Sequence, residues 1–196
     1  MIANRRWMGI VAGWALAGCL ARGAPAPEAR EGVALQLSLF PPFQLADSQT
    51  DVTGLRLGLF SMNHDVTGLD LGLVNWTSGD ELAVQWGALN KTTGRFAGAQ
   101  FGLVSLAGNG FVGWQSSLVN LDSGKAVGFF DGAINVAWES GIGFQLGLVN
   151  YAKEFTGLQF GFVNWTQTLT GLQIGLVNCI AGKETLPVLP ILNASF

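Results

Sequence analysis

Residues Thr156 to Asn178 read TGLQFGFVNWTQTLTGLQIGLVN, one nine-residue phrase written twice with five residues between the copies. Repetition this close means that one small unit is stacked on itself, and the unit has to be identified before any other assignment. Working outward, units begin at Ala34, Gly54, Gly68, Ala83, Gly98, Gly113, Gly128, Gly143, Gly157, Gly171 and, more loosely, Leu186. After a first gap of 20 residues every step is 14 or 15. The shared pattern is G-φ-Q-φ-G-φ-φ-N, with φ apolar. Its third place carries Gln85, Gln100, Gln115, Gln145, Gln159 and Gln173, and its eighth carries Asn75, Asn90, Asn120, Asn135, Asn150, Asn164 and Asn178.

Each unit alternates with period two, as a strand with two different faces does. On straight alternation Leu158, Phe160, Phe162 and Asn164 share one face, and Gly157, Gln159, Gly161 and Val163 share the other. Between phrases lie short Gly-bearing segments such as TSGD (77–80) and DSGK (122–125), which suit tight turns. A parallel neighbour reached by a crossover needs about a dozen residues, more than these segments supply, so straight strands would have to alternate in direction. The expectation is an all-β chain: a tandem-repeat antiparallel meander of about 10–12 strands, closing as an outer-membrane-type β-barrel so that no edge is left open. The alternative is a parallel β-solenoid with 14–15-residue rungs, which requires every unit to bend at its fifth-place glycine. Like would then pair with like, Gln145 beside Gln159 beside Gln173. Several residues strain the barrel. Asp131 and Ser116 fall on its lipid face, Pro187 and Pro190 each remove a ladder donor from the last unit, and the odd unit count would need a twelfth strand from around Phe43 to Val52.

Composition points away from an ordinary water-soluble domain. Charged residues make up 12% of the 196 against about 25% in typical domains, and glycine accounts for 28. Mean hydropathy is +0.37. Much apolar surface must therefore face something other than water. The net charge is −3 and no basic cluster follows Arg5 and Arg6, which argues against nucleic acid as a partner. Those two arginines precede an apolar run from Trp7 to Gly18, the anatomy of a secretory signal. Leu16 to Cys19 read LAGC, which resembles the bacterial lipobox whose cysteine is acylated; the other reading is ordinary cleavage a few residues later. The expected division is residues 1–19 signal peptide, 20–32 Ala/Pro-rich linker, and 33–196 a single repeat β domain.

The phrases GLRLGLF (54–60), GLDLGLVN (68–75) and GLQIGLVN (171–178), with the ending LPVLPILNASF (186–196), resemble a surface-repeat family of diderm bacteria in which a signal peptide is followed almost wholly by GLQ-IGLVN repeats. The resemblance spans roughly residues 32 to 196 and implies an exported protein of the envelope, without an activity or binding residues to carry over. The unit GFFDGAIN departs from it, with Phe130 in the Gln place and Asp131 in an apolar one.

Chemistry is sparse. His64, the only histidine, sits beside Asp65 in a turn and has no second His or Cys at ligand spacing, so no metal or cofactor is expected. Cys179 fills a place held elsewhere by Trp or Tyr and reads as packing. Arg56 and Asp70, both in third places, are expected to pair across neighbouring strands. Trp76 and Trp165 follow the eighth-place Asn as strand-end packing or interfacial anchors. The functional expectation is a non-enzymatic, structural surface-repeat protein of the outer membrane, located there or at the cell surface by its barrel, an acyl chain on Cys19, or both. The alternatives are an outer-membrane pore with a Gln-lined lumen, and a lipid-tethered solenoid for adhesion or binding, whose protein or glycan ligand the sequence leaves unnamed.

Overall fold

The computed structural model describes residues 32–196; the expected signal peptide, Cys19 and the linker up to residue 31 lie outside the described residues. The fold is all-β, a parallel β-solenoid of about eight turns and not a barrel. Strands β1 (Gly32–Phe40), β2 (Phe43–Gln44), β3 (Asp51–Asn63), β4 (Val66–Thr77), β5 (Glu81–Thr92), β6 (Phe96–Ala107), β7 (Phe111–Asp122), β8 (Lys125–Asp131), β9 (Ile134–Ile180) and β10 (Val188–Ser195) form one sheet. Its order is β10-β9-β8-β7-β6-β5-β4-β3-β1-β2. From β3 to β9 every pairing is parallel and in repeat register: Gly54↔Gly68, Gln85↔Gln100, Asn120↔Asn135. The 47-residue β9 is not one straight strand; it contains successive turns of the coil, with Gln159 bonded to Gln145 and Gln173 to Gln159.

The antiparallel barrel is therefore corrected, and the reason is geometric. A crossover of a dozen residues is needed only when the strand is straight. Here each unit bends after its fifth place, and the return path is itself hydrogen-bonded sheet. Burial records the bend: alternation holds from Phe155 through Gln159, both Phe162 and Val163 then face outward, and Asn164 and Thr166 face inward again. Asn164 thus lies inside with Gln159, contrary to the two-face reading. The inter-phrase segments are corners of a coil, not hairpin loops. Asp122, expected in the turn DSGK, closes β7 and is buried.

Two glycine columns make the rungs stack. At the first place Gly157 has φ +137°, and a Cβ there would land on the carbonyl oxygen of Gly143 one turn below. At the fifth place a Cβ on Gly161 would collide with the Gly147 carbonyl and the Asn150 amide. Neither Gly157 nor Gly161 has room for a side chain, because the next rung lies only about 4.8 Å away.

Both ends are capped. At one, β2 folds back antiparallel on β1, and Gln36 exchanges hydrogen bonds with the backbone of Ala46 (3.0 and 2.9 Å). Phe43 to Val52 contributes only this short β2 and the start of β3, not a twelfth barrel strand. At the other end β10 reverses direction and pairs antiparallel with β9, Val188↔Cys179 through Ser195↔Gly171. Asn193 consequently sits beside Gln173 and not on top of Asn178. Pro190 lies in this outermost strand, where a missing donor costs nothing and blocks further pairing.

Replacing Gly157 by Ala is expected to lower stability by about 3 kcal/mol, combining a disfavoured φ with a backbone clash. Urea unfolding followed by circular dichroism measures it; an unchanged midpoint contradicts the stacking geometry.

Candidate functional site

The two columns singled out from the sequence meet in the interior. Gln85, Gln100, Gln115, Gln145, Gln159 and Gln173 are all buried, and so are Asn75, Asn90, Asn120, Asn135, Asn150, Asn164 and Asn178. In the Gln column each amide donates to the turn before it: Gln100 to Gln85 (2.6 Å), Gln115 to Gln100 (2.8 Å), Gln159 to Gln145 (2.6 Å) and Gln173 to Gln159 (2.8 Å). In the Asn column the donation runs the other way, Asn120 to Asn135 (2.8 Å), Asn135 to Asn150 (2.9 Å), Asn150 to Asn164 (2.8 Å) and Asn164 to Asn178 (2.8 Å). The second Nδ2 hydrogen of Asn135 reaches the backbone carbonyl of Leu146, and that of Asn150 reaches Phe160, satisfying carbonyls turned inward at the bend. Among the described residues these amides are buried and bonded to one another, and they share the interior of the coil with apolar side chains such as Phe96, Phe111 and Phe155.

Buried carboxylates interrupt the amides near the N-terminal end. Asp70 meets Arg56 in a forked pair (2.7 and 2.6 Å), as expected for adjoining third places, and both side chains are fully buried. Gln85 donates to Asp70 and to Glu81 (2.7 and 2.8 Å), and Thr92 donates to Glu81 (2.6 Å). Burial, joined by the charge of Asp70 and opposed by Arg56, pushes the Glu81 carboxyl up to about 8. Burial likewise pushes Asp122 up to about 8, with only a long hydrogen bond from Gln115 to oppose it. Both groups are sealed from solvent.

His64 Nδ1 lies 3.2 Å from Asp51 Oδ1 and 2.9 Å from Asp65 Oδ1. The same two oxygens accept the backbone N–H of Asp65 and of Asp80, so each aspartate is tied to the adjoining turn. The trio fastens one corner to the next.

What sequence reasoning missed is the outside. Apolar side chains occupy the second, fourth, sixth and seventh places of nearly every turn. In the sixth place Leu59, Leu73, Leu103, Leu118, Leu148, Phe162 and Leu176 are each between 52% and 64% exposed. They form a ridge at the bend, one residue per turn. An axial furrow floored by the fifth-place glycines runs between this ridge and the fourth-place column. Aromatic side chains follow farther back. In the ninth place Tyr151 and Trp165 stack at 4.7 Å, and Lys91 covers Trp76 at 4.0 Å. Trp86, Phe101, Trp114, Phe129 and Phe144 form a continuous ring-to-ring stripe along the other side. The inter-phrase corners carry charges, among them Asp80, Arg95, Lys153 and Glu154, beside exposed apolar residues such as Leu82 and Trp138. Exposed apolar side chains thus recur along the bend, and charges gather in the inter-phrase corners. Two adjacent apolar places just before the eighth-place Asn were the available signal for this bend. Cys179 is half-buried in the Tyr151–Trp165 column.

Comparison with protein-family models, curated proteins and solved structures returned no match.

The raised carboxyl values give stability a defined pH dependence. Both folded-state values lie above the ordinary carboxyl value of about 4, so between about pH 4 and pH 8 the native chain holds protons that the unfolded chain has released. Stability is highest below that window and falls as pH rises through it, because the unfolded chain gives up these protons first. Urea midpoints should drop from about pH 5 to about pH 8, and Asp122→Asn should flatten the slope; a midpoint that climbs with pH contradicts the assignment.

The amide columns predict a second effect. Gln159→Leu leaves the acceptor of Gln145 unpaired and takes from Gln173 its shortest bond, leaving it the longer ones to Thr166 and Cys179, for a loss of about 1–3 kcal/mol. Gln85→Leu would release a donor from Asp70 and Glu81 as well, and should cost more in the same urea assay.

Proposed function

We propose that this chain is an exported, non-enzymatic envelope protein of a diderm bacterium that lies along the outer membrane, its apolar bend set into the lipid and its charged corners in water. The observation that carries the reading is the row of exposed apolar side chains at the bend. A large exposed apolar surface signals a partner, and this one recurs on seven turns of the coil, with Ala88 and Ala133 between. Surface-lying membrane elements bury an apolar face about 5–10 Å deep and place aromatic rings at headgroup level. Covering the exposed halves of the seven sixth-place side chains is worth roughly 7 kcal/mol, at about 1 kcal/mol each. Export rests on the signal-like N-terminal residues, and an acyl chain on Cys19 would add a second anchor to the same membrane.

The reading differs from a spanning barrel in what it requires of the lipid. The coil satisfies its own backbone hydrogen bonds turn upon turn, so it needs no closure and no passage through the bilayer. A second copy covering the flank is the competing occupant, and the test separates the two.

Flotation with phosphatidylcholine vesicles should carry the full chain to the top of the gradient. The combined variant Leu73→Asp, Leu103→Asp, Leu148→Asp and Leu176→Asp should remain at the bottom with an unchanged β circular dichroism spectrum. A wild-type chain that stays at the bottom as a defined dimer overturns the membrane seat in favour of self-association. Recovery from the cytosolic fraction of the producing cell overturns export.

A further inference from the structure

The furrow is not uniform, and its irregularity falls where the repeat itself is broken. From Asp131 to Ile191 it opens into a groove of about 540 Å³, within the usual range for a ligand site. Its floor is the glycine column Gly132, Gly147, Gly161 and Gly175, and its walls are otherwise apolar. Four rung spacings of about 4.8 Å make it about 19 Å long, against about 15 Å for one acyl chain in a bilayer leaflet. Asp131 supplies a carboxylate at one end. It occupies the fourth place, filled on the following turns by Leu146, Phe160 and Ile174. Ser116, on the adjoining rung, donates to its Oδ2 (3.1 Å). Among the described residues it makes no ion pair.

We propose that this groove binds a single-chain amphiphile with a primary ammonium headgroup, the chain lying along the glycine floor and the ammonium paired with Asp131. An apolar trough recognises any alkyl chain; the carboxylate at its end selects the sign of the head. Ser116 holds one carboxylate oxygen and leaves the other for the ligand. An anionic amphiphile would bring like charges together at an apolar rim, where water screens them poorly. The glycine floor gives the site its depth, because a Cβ at Gly132, Gly147, Gly161 or Gly175 would collide with the carbonyl of the rung below. The inference does not depend on the membrane seat, and its assay contains no bilayer.

The test is isothermal titration of the full chain with dodecylammonium and with dodecanoate, each below its micelle concentration, near pH 7. One dodecylammonium per chain is expected, at least tenfold tighter than dodecanoate. Asp131→Asn should bring the two within about twofold of each other. Leu146→Lys places an internal ammonium opposite Asp131 in register and should abolish dodecylammonium binding. No binding of dodecylammonium to the wild-type chain, equal binding of the two amphiphiles, or a preference that survives Asp131→Asn overturns the proposal.

Discussion

A buried amide is costly unless both its donor and its acceptor are met, and a narrow coil offers it no water. That constraint governs this molecule. An unmet buried polar group costs about 1–3 kcal/mol, whereas a met one contributes about 1. Gln and Asn can satisfy each other indefinitely only when the same residue recurs at the same height on every rung. Parallel, in-register stacking is the arrangement that delivers this. The two ladders also point opposite ways, Gln donating toward the N-terminus and Asn toward the C-terminus, so their side-chain dipoles offset each other along the axis. Where a ladder starts or is broken, the expected orphan shows: the carbonyl oxygens of Gln115, beside Phe130, and of Gln173, beneath the reversed last strand, have no protein partner.

Departures from the phrase occur in compensating pairs. Several fifth-place glycines are held free of a side chain partly by the Asn amide of the preceding turn: a Cβ on Gly132 would meet Asn120, and one on Gly147 would meet Asn135. Ser105 stands where an Asn would, and the next fifth place is then free to hold Ser117. The two hydroxyls bond at 2.6 Å and fill the space the longer amide would have taken. Phe130 behaves similarly, leaving the Gln ladder but packing on Phe111 at 5.4 Å. The repeat is thus a set of coupled choices, and a single-site reading of any one column understates what each residue decides.

Much of the architecture was legible from the sequence. The period, the two polar columns, the Arg56–Asp70 juxtaposition and the oddity of Pro190 in a closing strand all follow from spacing alone. Strand direction did not, because alternation with period two reads the same in a hairpin and in a coil until the phase slips. The slip is written at Phe162-Val163, two adjacent apolar residues before an Asn. It decides the fold only once Asn164 is understood as a core residue, and a polar residue in that place reads more naturally as an edge. The same alternation places Leu and Phe of the sixth place on the outer wall of a barrel. That they face outward is correct; that the chain closes around a lumen is not.

The interior and the surface of this coil answer to different rules, which explains an inversion of the usual globular pattern. Amides and even an Arg–Asp pair share the centre with a narrow apolar core that includes Phe96, Phe111, Phe130, Phe155 and Leu169, while many leucines and the remaining aromatic rings stand outside. A ladder interior tolerates polar side chains because repetition supplies their partners, and its small cross-section leaves little volume for a conventional apolar core. The hydrophobic term is therefore not exhausted by folding. It remains at the bend, one side chain per turn, multiplied by the number of turns. Turns added to such a chain strengthen the ladder and lengthen the apolar ridge in the same proportion. Stability and exposed apolar surface are consequently coupled through a single variable, the repeat count.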